Sequence, residues 1–127
     1  MVYKKIIAEA VEYIAINPAK NFADTRNAQR SADVLQILNA VTQYTATQGN
    51  TVAGLGTIPA CSATPAIIGT SGVNLTTTLV DSYIVAIPMD PSSGTAADTK
   101  YTICQTNGRI TIAAPAAENG KTISVKR

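Results

Sequence analysis

The chain has 127 residues, enough for one domain with a modest core, and 14% of them are charged, with a formal net charge of +2. This balance indicates neither a polyanion-binding protein nor an acidic disordered tail. The sequence contains no histidine, which excludes histidine-based catalytic triads and HExxH zinc sites, and no motif indicates another nucleophile. We therefore expect a protein that is not an enzyme.

Residues 1–16 predict a short amphipathic helix that is separate from a domain over residues 17–127. Its apolar positions recur at helical spacing: Tyr3, Ile6, Ile7, Ala10, Val11 and Ile14. The segment lacks an apolar run near the ~18 residues needed to cross a bilayer. It also lacks the apolar region and cleavage site of a signal peptide.

A long helix is predicted beyond Asn17-Pro18, which forms a break because proline cannot continue the preceding turn. No glycine or proline occurs from Ala19 to about Thr47. The first half of this segment is polar on nearly all sides, whereas the second half carries an apolar stripe of Val34, Ile37, Leu38, Val41 and Tyr44. Gly49 is a plausible end signal. The helix should start outside the core and finish as the spine of the domain.

Residues 48–75 predict an irregular loop with at most one short strand or turn, near Ile58 or Ile67–Ile68, since glycines and prolines interrupt any long periodicity. Residues 76–87 predict a short helix followed by an extended run, with Leu79 and Tyr83 facing the core. Residues 90–99 predict a polar, turn-rich loop. Within the first loop, Asn74-Leu75-Thr76 is an N-glycosylation sequon, a triplet that often arises by chance.

The C-terminal third predicts a three-stranded antiparallel sheet. Residues 101–105 and 109–113 alternate with period two around Asn107-Gly108, a hairpin signature. A second hairpin turn at Glu118-Asn119-Gly120 leads to residues 122–126. The inner face comprises Tyr101, Ile103, Ile110, Ile112, Ile123 and Val125. The predicted fold class is α+β, with the long helix packed on this sheet.

Two cysteines, Cys61 and Cys104, lie too far apart in sequence for a CxxC redox or zinc motif. They form either two buried free thiols or one disulfide. We favour the disulfide, which implies an oxidising compartment. Because Cys104 is out of phase with Tyr101 and Ile103, the bridge should hold the 48–75 loop across the outer or edge side of the sheet.

Several segments, in this order, resemble the type IV pilin and pseudopilin family, including pilin-like proteins of candidate-phylum bacteria. They are residues 14–20 (IAINPAK), residues 23–34 (ADTRNAQRSADV), residues 83–91 (YIVAIPMDP) and the strands from Tyr101 to Val125. The resemblance covers about residues 14–127. The family's processing site and its two dozen apolar residues are missing here. We expect the N-terminal segment to be a replacement that keeps a truncated pilin soluble, with a natural divergent form as the alternative.

The resemblance implies a structural subunit of a type IV pilus-like filament at the cell surface, serving adhesion, motility or DNA uptake. Its partners would be other pilin subunits and, with a native N-terminus, an inner-membrane assembly machinery. One alternative is a periplasmic pseudopilin of a type II-like secretion system. In related pseudopilins a C-terminal loop binds Ca²⁺, and Asp90 and Asp98 with nearby serines are the matching candidates, although turn capping is the favoured role. An alternative of another class is a small secreted binding domain.

Charged residues on the polar half of the long helix are the candidate assembly residues: Asp24, Arg26, Arg30 and Asp33. On an exposed helix face, complementary charges would set the register between subunits, although a plain solubilising role is equally compatible. A second charged group lies near the sheet and comprises Lys100, Arg109, Lys121, Lys126 and Arg127. No aromatic residues are interleaved with it, so specific nucleic-acid binding is not expected.

Overall fold

The structure is a computed structural model that describes residues 17–127. The short helix predicted over residues 1–16 lies outside the described residues. In chain order, the described part contains one long helix, then short elements and irregular segments, and then a C-terminal sheet.

The long helix, α1, spans Pro18–Ala46 and confirms the predicted spine. It begins where the Asn17 side chain accepts a hydrogen bond from the Lys20 N–H at 3.1 Å, with Pro18 in the first turn, where no N–H is needed. It ends where the Thr47 N–H donates to the Tyr44 carbonyl. Residues 17–22 are exposed, and the face that starts at Ala23 is buried.

Short elements follow α1: a 3₁₀ helix at Val52–Leu55, strand β1 at Ala66–Ile67 and helix α2 at Thr76–Leu79. The irregular loop and the short helix are therefore confirmed, and Leu79 is fully buried. The extended run expected after α2 forms no strand, since residues 81–101 contain only turns, bends and an isolated bridge.

The sheet contains β1, β2 at Thr102–Thr106, β3 at Arg109–Ala113 and β4 at Ser124–Lys126, in that spatial order and antiparallel throughout. The predicted meander is correct, but the predicted number of three strands is wrong. The fourth strand, β1, has two residues and lies where a short strand or turn was expected, near Ile67–Ile68, but its pairing with β2 was not predicted. Both turns carry positive φ at Asn and Gly, with 52° and 80° at Asn107-Gly108.

The core lies between α1 and the inner face of the sheet, where α1 crosses β3 and β4. Val34, Ile37, Leu38 and Val41 of the helix are almost completely buried. The sheet, the loops and α2 contribute Leu55, Ile58, Ile68, Val73, Leu75, Leu79, Tyr101, Ile103, Ile110, Ile112 and Ala114. This apolar contact ends near Val34, and polar side chains attach the preceding turns of α1 to the rest of the domain.

Candidate functional site

The most unusual feature of the domain is a buried arginine, Arg30, on the polar half of α1. Its side chain is only 1% exposed. The guanidinium donates through Nε and Nη2 to the two carboxylate oxygens of Asp90. Its Nη1 donates to Glu118 Oε2 at 2.7 Å and to Asn27 Oδ1 at 2.9 Å. Arginine suits this position because its planar fork binds two carboxylates from fixed directions.

A second arginine extends this network at Glu118. Arg26 donates from Nε and Nη2 to the two carboxylate oxygens of Glu118, both at 2.6 Å. The Asn27 amide also exchanges two hydrogen bonds with the Glu118 backbone, at 2.9 and 3.0 Å. We refer to Arg26, Asn27, Arg30, Asp90 and Glu118 as the Arg30 cluster. It joins α1 to two turns that lie about 60 and 90 residues further along the chain.

Asp90 reaches Arg30 because a tight turn fixes its carboxylate. The backbone N–H groups of Ser92 and Ser93 donate to Asp90 Oδ2 at 3.0 and 3.1 Å, and the Ser92 hydroxyl donates at 2.7 Å. Burial alone would raise the pKa of this carboxyl, but the Arg30 guanidinium and the serine donors outweigh burial and hold the pKa of Asp90 well below its usual range. Asp90 is therefore a buried, fully hydrogen-bonded anion.

Glu118 is the accessible end of the cluster, with its side chain 31% exposed. Hydrogen bonds from Arg26, and then from Arg30, lower the pKa of Glu118 from 4.5 to about 2. The pKa of Arg30 is raised in turn, chiefly by its hydrogen bonds to Asp90. Two cations and two anions thus neutralise one another, and the cluster presents no basic or nucleophilic group in a reactive state. The Arg30 cluster therefore has a structural role, which is to attach α1 to the two turns.

One helical turn further along, Asp33 forms a second buried polar contact. The Tyr101 hydroxyl donates to Asp33 Oδ2 at 2.6 Å, and the Gln29 amide donates to Oδ1 at 2.7 Å. Burial, followed by the negative charge of Asp33, raises the pKa of the Tyr101 phenol well above its ordinary value. The contact therefore links α1 to the start of β2.

The four predicted assembly residues do not share an exposed face. Arg30 and Asp33 are buried, and that part of the prediction is wrong because both side chains turn inward to partners in the turns and just before β2. Arg26 binds Glu118 inside the same molecule. Asp24 is half-exposed and accepts hydrogen bonds from Lys20 Nζ at 2.7 Å and Asn119 Nδ2 at 2.9 Å. A role of these residues in assembly stays a prediction.

The candidate calcium ligands are already engaged in other contacts. Asp90 is saturated by Arg30 and the serines, whereas Asp98 accepts from the Lys100 N–H at 2.9 Å and pairs with its ammonium group. Across residues 17–127 no group of three or more acidic, cysteine or histidine side chains could hold a metal ion. These contacts favour the turn-capping role for both aspartates, and calcium binding stays a prediction.

The predicted disulfide between Cys61 and Cys104 is confirmed. Ala60 runs alongside Gln105, and the Cys61 N–H donates to the Gln105 carbonyl at 2.9 Å. The bridge therefore holds the loop against the outer edge of β2, on the side expected from the strand alternation. Asn74 of the sequon is partly exposed, its side chain accepts a hydrogen bond from the Thr76 N–H just before α2, and its glycosylation stays a prediction.

An apolar cavity of about 180 Å³ lies between β1, α2 and the segment before Asp90. Ile68, Leu75, Val80, Ile87 and Met89 form its wall. This volume corresponds to a single apolar side chain or a one-ring molecule, and is small for an ordinary ligand site. The cavity therefore gives little support to the alternative that the protein is a small secreted binding domain.

Glu118 and Asn27 are the important residues that the sequence did not reveal. Glu118 was predicted only as part of a hairpin turn, and its partners lie about 90 residues away. No local pattern in one sequence reports such a distant pairing. The only signal was indirect. Charged residues lie on the same helix face as the apolar stripe, and that stripe faces the core.

No part of the described chain forms a helix with the length and hydropathy required to cross a bilayer. Comparison with protein-family models, with curated proteins and with solved structures found no match for this chain.

Proposed function

We propose that this protein is a structural subunit of a type IV pilus-like filament at the cell surface, in which copies associate through their long helices. The observation that carries the proposal is the attachment of α1. Its first turns, residues 17–22, are exposed, while the Arg30 cluster and the core hold the remainder rigidly on the sheet. A helix that is exposed at one end and fixed at the other suits packing against a neighbouring subunit.

Two further features support this function. The exposed part of α1 contains Phe22, which is 65% exposed although its ring is large and apolar. Such a residue is stabilised when a neighbouring helix covers it. The disulfide suits an oxidising location outside the cytosol.

The test is electron microscopy of the purified chain at increasing concentration. Fibres several nanometres wide would mean that the described part of α1 suffices for assembly, and Phe22→Asp should abolish them by placing a charge in the helix contact. Val85→Asp is the matched control, because Val85 is 88% exposed but lies in the loop after α2. Both variants should retain the thermal stability of the parent chain. Fibres that survive Phe22→Asp would contradict assembly through α1. A chain that stays monomeric at millimolar concentration would contradict filament formation by this chain and support a solubilised domain with a replaced N-terminal segment.

A further inference from the structure

The two edges of the sheet differ in how they are protected. The outer edge of β2 is covered by β1 and by the disulfide-held residues 59–61. The opposite edge is β4, which pairs with β3 on one side only. Among residues 17–127 no segment hydrogen-bonds to its other side.

The hydrogen-bond register shows which backbone groups of β4 remain free. Ile110 and Arg127 exchange two hydrogen bonds, at 3.0 and 3.1 Å, and the Ala114 N–H donates to the Ile123 carbonyl at 2.9 Å. The backbone N–H and C=O groups of the odd-numbered residues in and beside β4 therefore point toward β3. In an antiparallel pair the alternate residues point their N–H and C=O groups the other way, so Ser124 and Lys126 present theirs at the open edge.

The surface beside this edge is cationic. Arg109, Lys121, Lys126 and Arg127 are all exposed. Within the described part of the chain, salt bridges engage Lys20, Arg26, Arg30 and Lys100 but none of these four. Lys126 lies opposite Thr111, and Arg109 is its diagonal neighbour on the same face of the sheet. Two such edges would repel each other, because like charges opposite one another destabilise strand pairing.

The two faces of β4 differ in polarity. Ser124 and Lys126 project from the outer face, whereas Ile123 and Val125 project from the inner face and pack half-buried against the core. A strand added at this edge would therefore meet cations on one face and apolar side chains on the other.

We propose that the β4 edge binds an extended acidic segment of another protein, which adds a strand to the sheet. Acidic residues at alternate positions would pair with Lys126, with Arg109 one strand further away on the same face, and the intervening apolar residues would continue the surface of Ile123 and Val125. The backbone hydrogen bonds of an added strand supply affinity, and its alternating side chains supply specificity. The proposal is independent of filament assembly, since it uses β4 rather than α1.

The probe is a peptide of four Val-Glu repeats added to the ¹⁵N-labelled protein. A block peptide of the same composition, Val-Val-Glu-Glu repeated twice, is the control, because it has the same charge but cannot segregate its side chains to two faces. We expect the alternating peptide to shift the amide signals of residues 123–127 and to slow hydrogen exchange at Ser124 and Lys126. The block peptide should do so much more weakly.

Lys126→Gln should weaken binding of the alternating peptide roughly two- to five-fold, the range of one cross-strand charge pair. Lys100→Gln is the matched control, because it removes one exposed lysine charge from the loop before β2. Equal binding of both peptides, or binding without protection of Ser124 and Lys126, would reduce the site to a charged patch and overturn the proposal. Protection that grows with protein concentration in the absence of peptide would also overturn it, since a second copy would then be the partner.

Discussion

The Arg30 cluster makes Asp90→Asn the most informative substitution. The amide has the shape of the carboxylate but no charge, and its NH₂ group would face either the Arg30 guanidinium or the serine N–H donors. Arg30 would then stay buried with Glu118 as its remaining anion. Removing one member of a buried ion pair costs about 3–5 kcal/mol. Because Glu118 is partly solvated and still neutralises Arg30, we expect the lower end, about 3 kcal/mol.

Urea unfolding followed by circular dichroism measures this cost. The midpoint should fall while the slope m is unchanged, since the same surface is exposed on unfolding. For a domain of this size the melting temperature should drop by about 10–15 °C. Asp81→Asn is the matched control, because Asp81 is exposed on a turn and forms no salt bridge among the described residues. It should change stability by less than about 0.5 kcal/mol.

The comparison between the two substitutions decides the argument. If Asp90→Asn destabilises the protein no more than Asp81→Asn does, Arg30 is not held as a buried cation by Asp90. The Arg30 cluster would then orient α1 without stabilising the folded protein. The double substitution Arg30→Met with Asp90→Asn should recover part of the loss, because it removes the unpaired charge as well.

Three further predictions concern acid, alkali and reduction. The pKa of Glu118 is about 2 in the folded chain and 4.5 ordinarily. The stabilisation that its charged form gives the folded protein is therefore intact above pH 4.5 and is lost as the pH falls toward 2. Glu118→Gln should flatten this part of the pH–stability profile. The raised pKa of Tyr101 acts in the opposite direction, because its stabilisation is present below the ordinary phenol pKa of 10 and is lost above it. Tyr101→Phe should remove that alkaline loss and cost about 1–2 kcal/mol at neutral pH by depriving Asp33 of a donor, measured by urea unfolding. Reducing the disulfide should cost up to about 4 kcal/mol of unfolding free energy for a closed loop of this length, and an unchanged melting temperature in reductant would contradict that contribution.

Much of the fold could be predicted because its signals are local. The extent of α1 follows from a segment without glycine or proline. Both hairpins follow from Asn-Gly dipeptides, which accept positive φ at two successive residues. The apolar stripe beginning at Val34 located the core face of the helix. Period and turn chemistry were sufficient wherever neighbours in sequence determine the structure.

The remainder depends on contacts between distant segments. A short strand or turn was expected near Ile67–Ile68, but the pairing of β1 with β2 joins residues about 36 apart, and two residues carry no pattern that identifies the partner strand. Arg30 looked like a solvent-facing residue because a charge on a helix normally is one. Its burial depends on Asp90 and Glu118 arriving from two separate turns, and no local rule identifies both partners.

The position of the Arg30 cluster connects the fold to the proposed function. The apolar core stops near Val34, so the stretch of α1 between Ala23 and Arg30 has mainly polar contacts to the domain. Apolar contacts are non-directional and permit small sliding movements, whereas a guanidinium bound by two carboxylates fixes both distance and orientation. The cluster therefore fixes the direction in which the exposed first turns of α1 project. A filament built from packed helices requires each subunit to present its helix at the same angle, and this is the part of the structure that would set that angle.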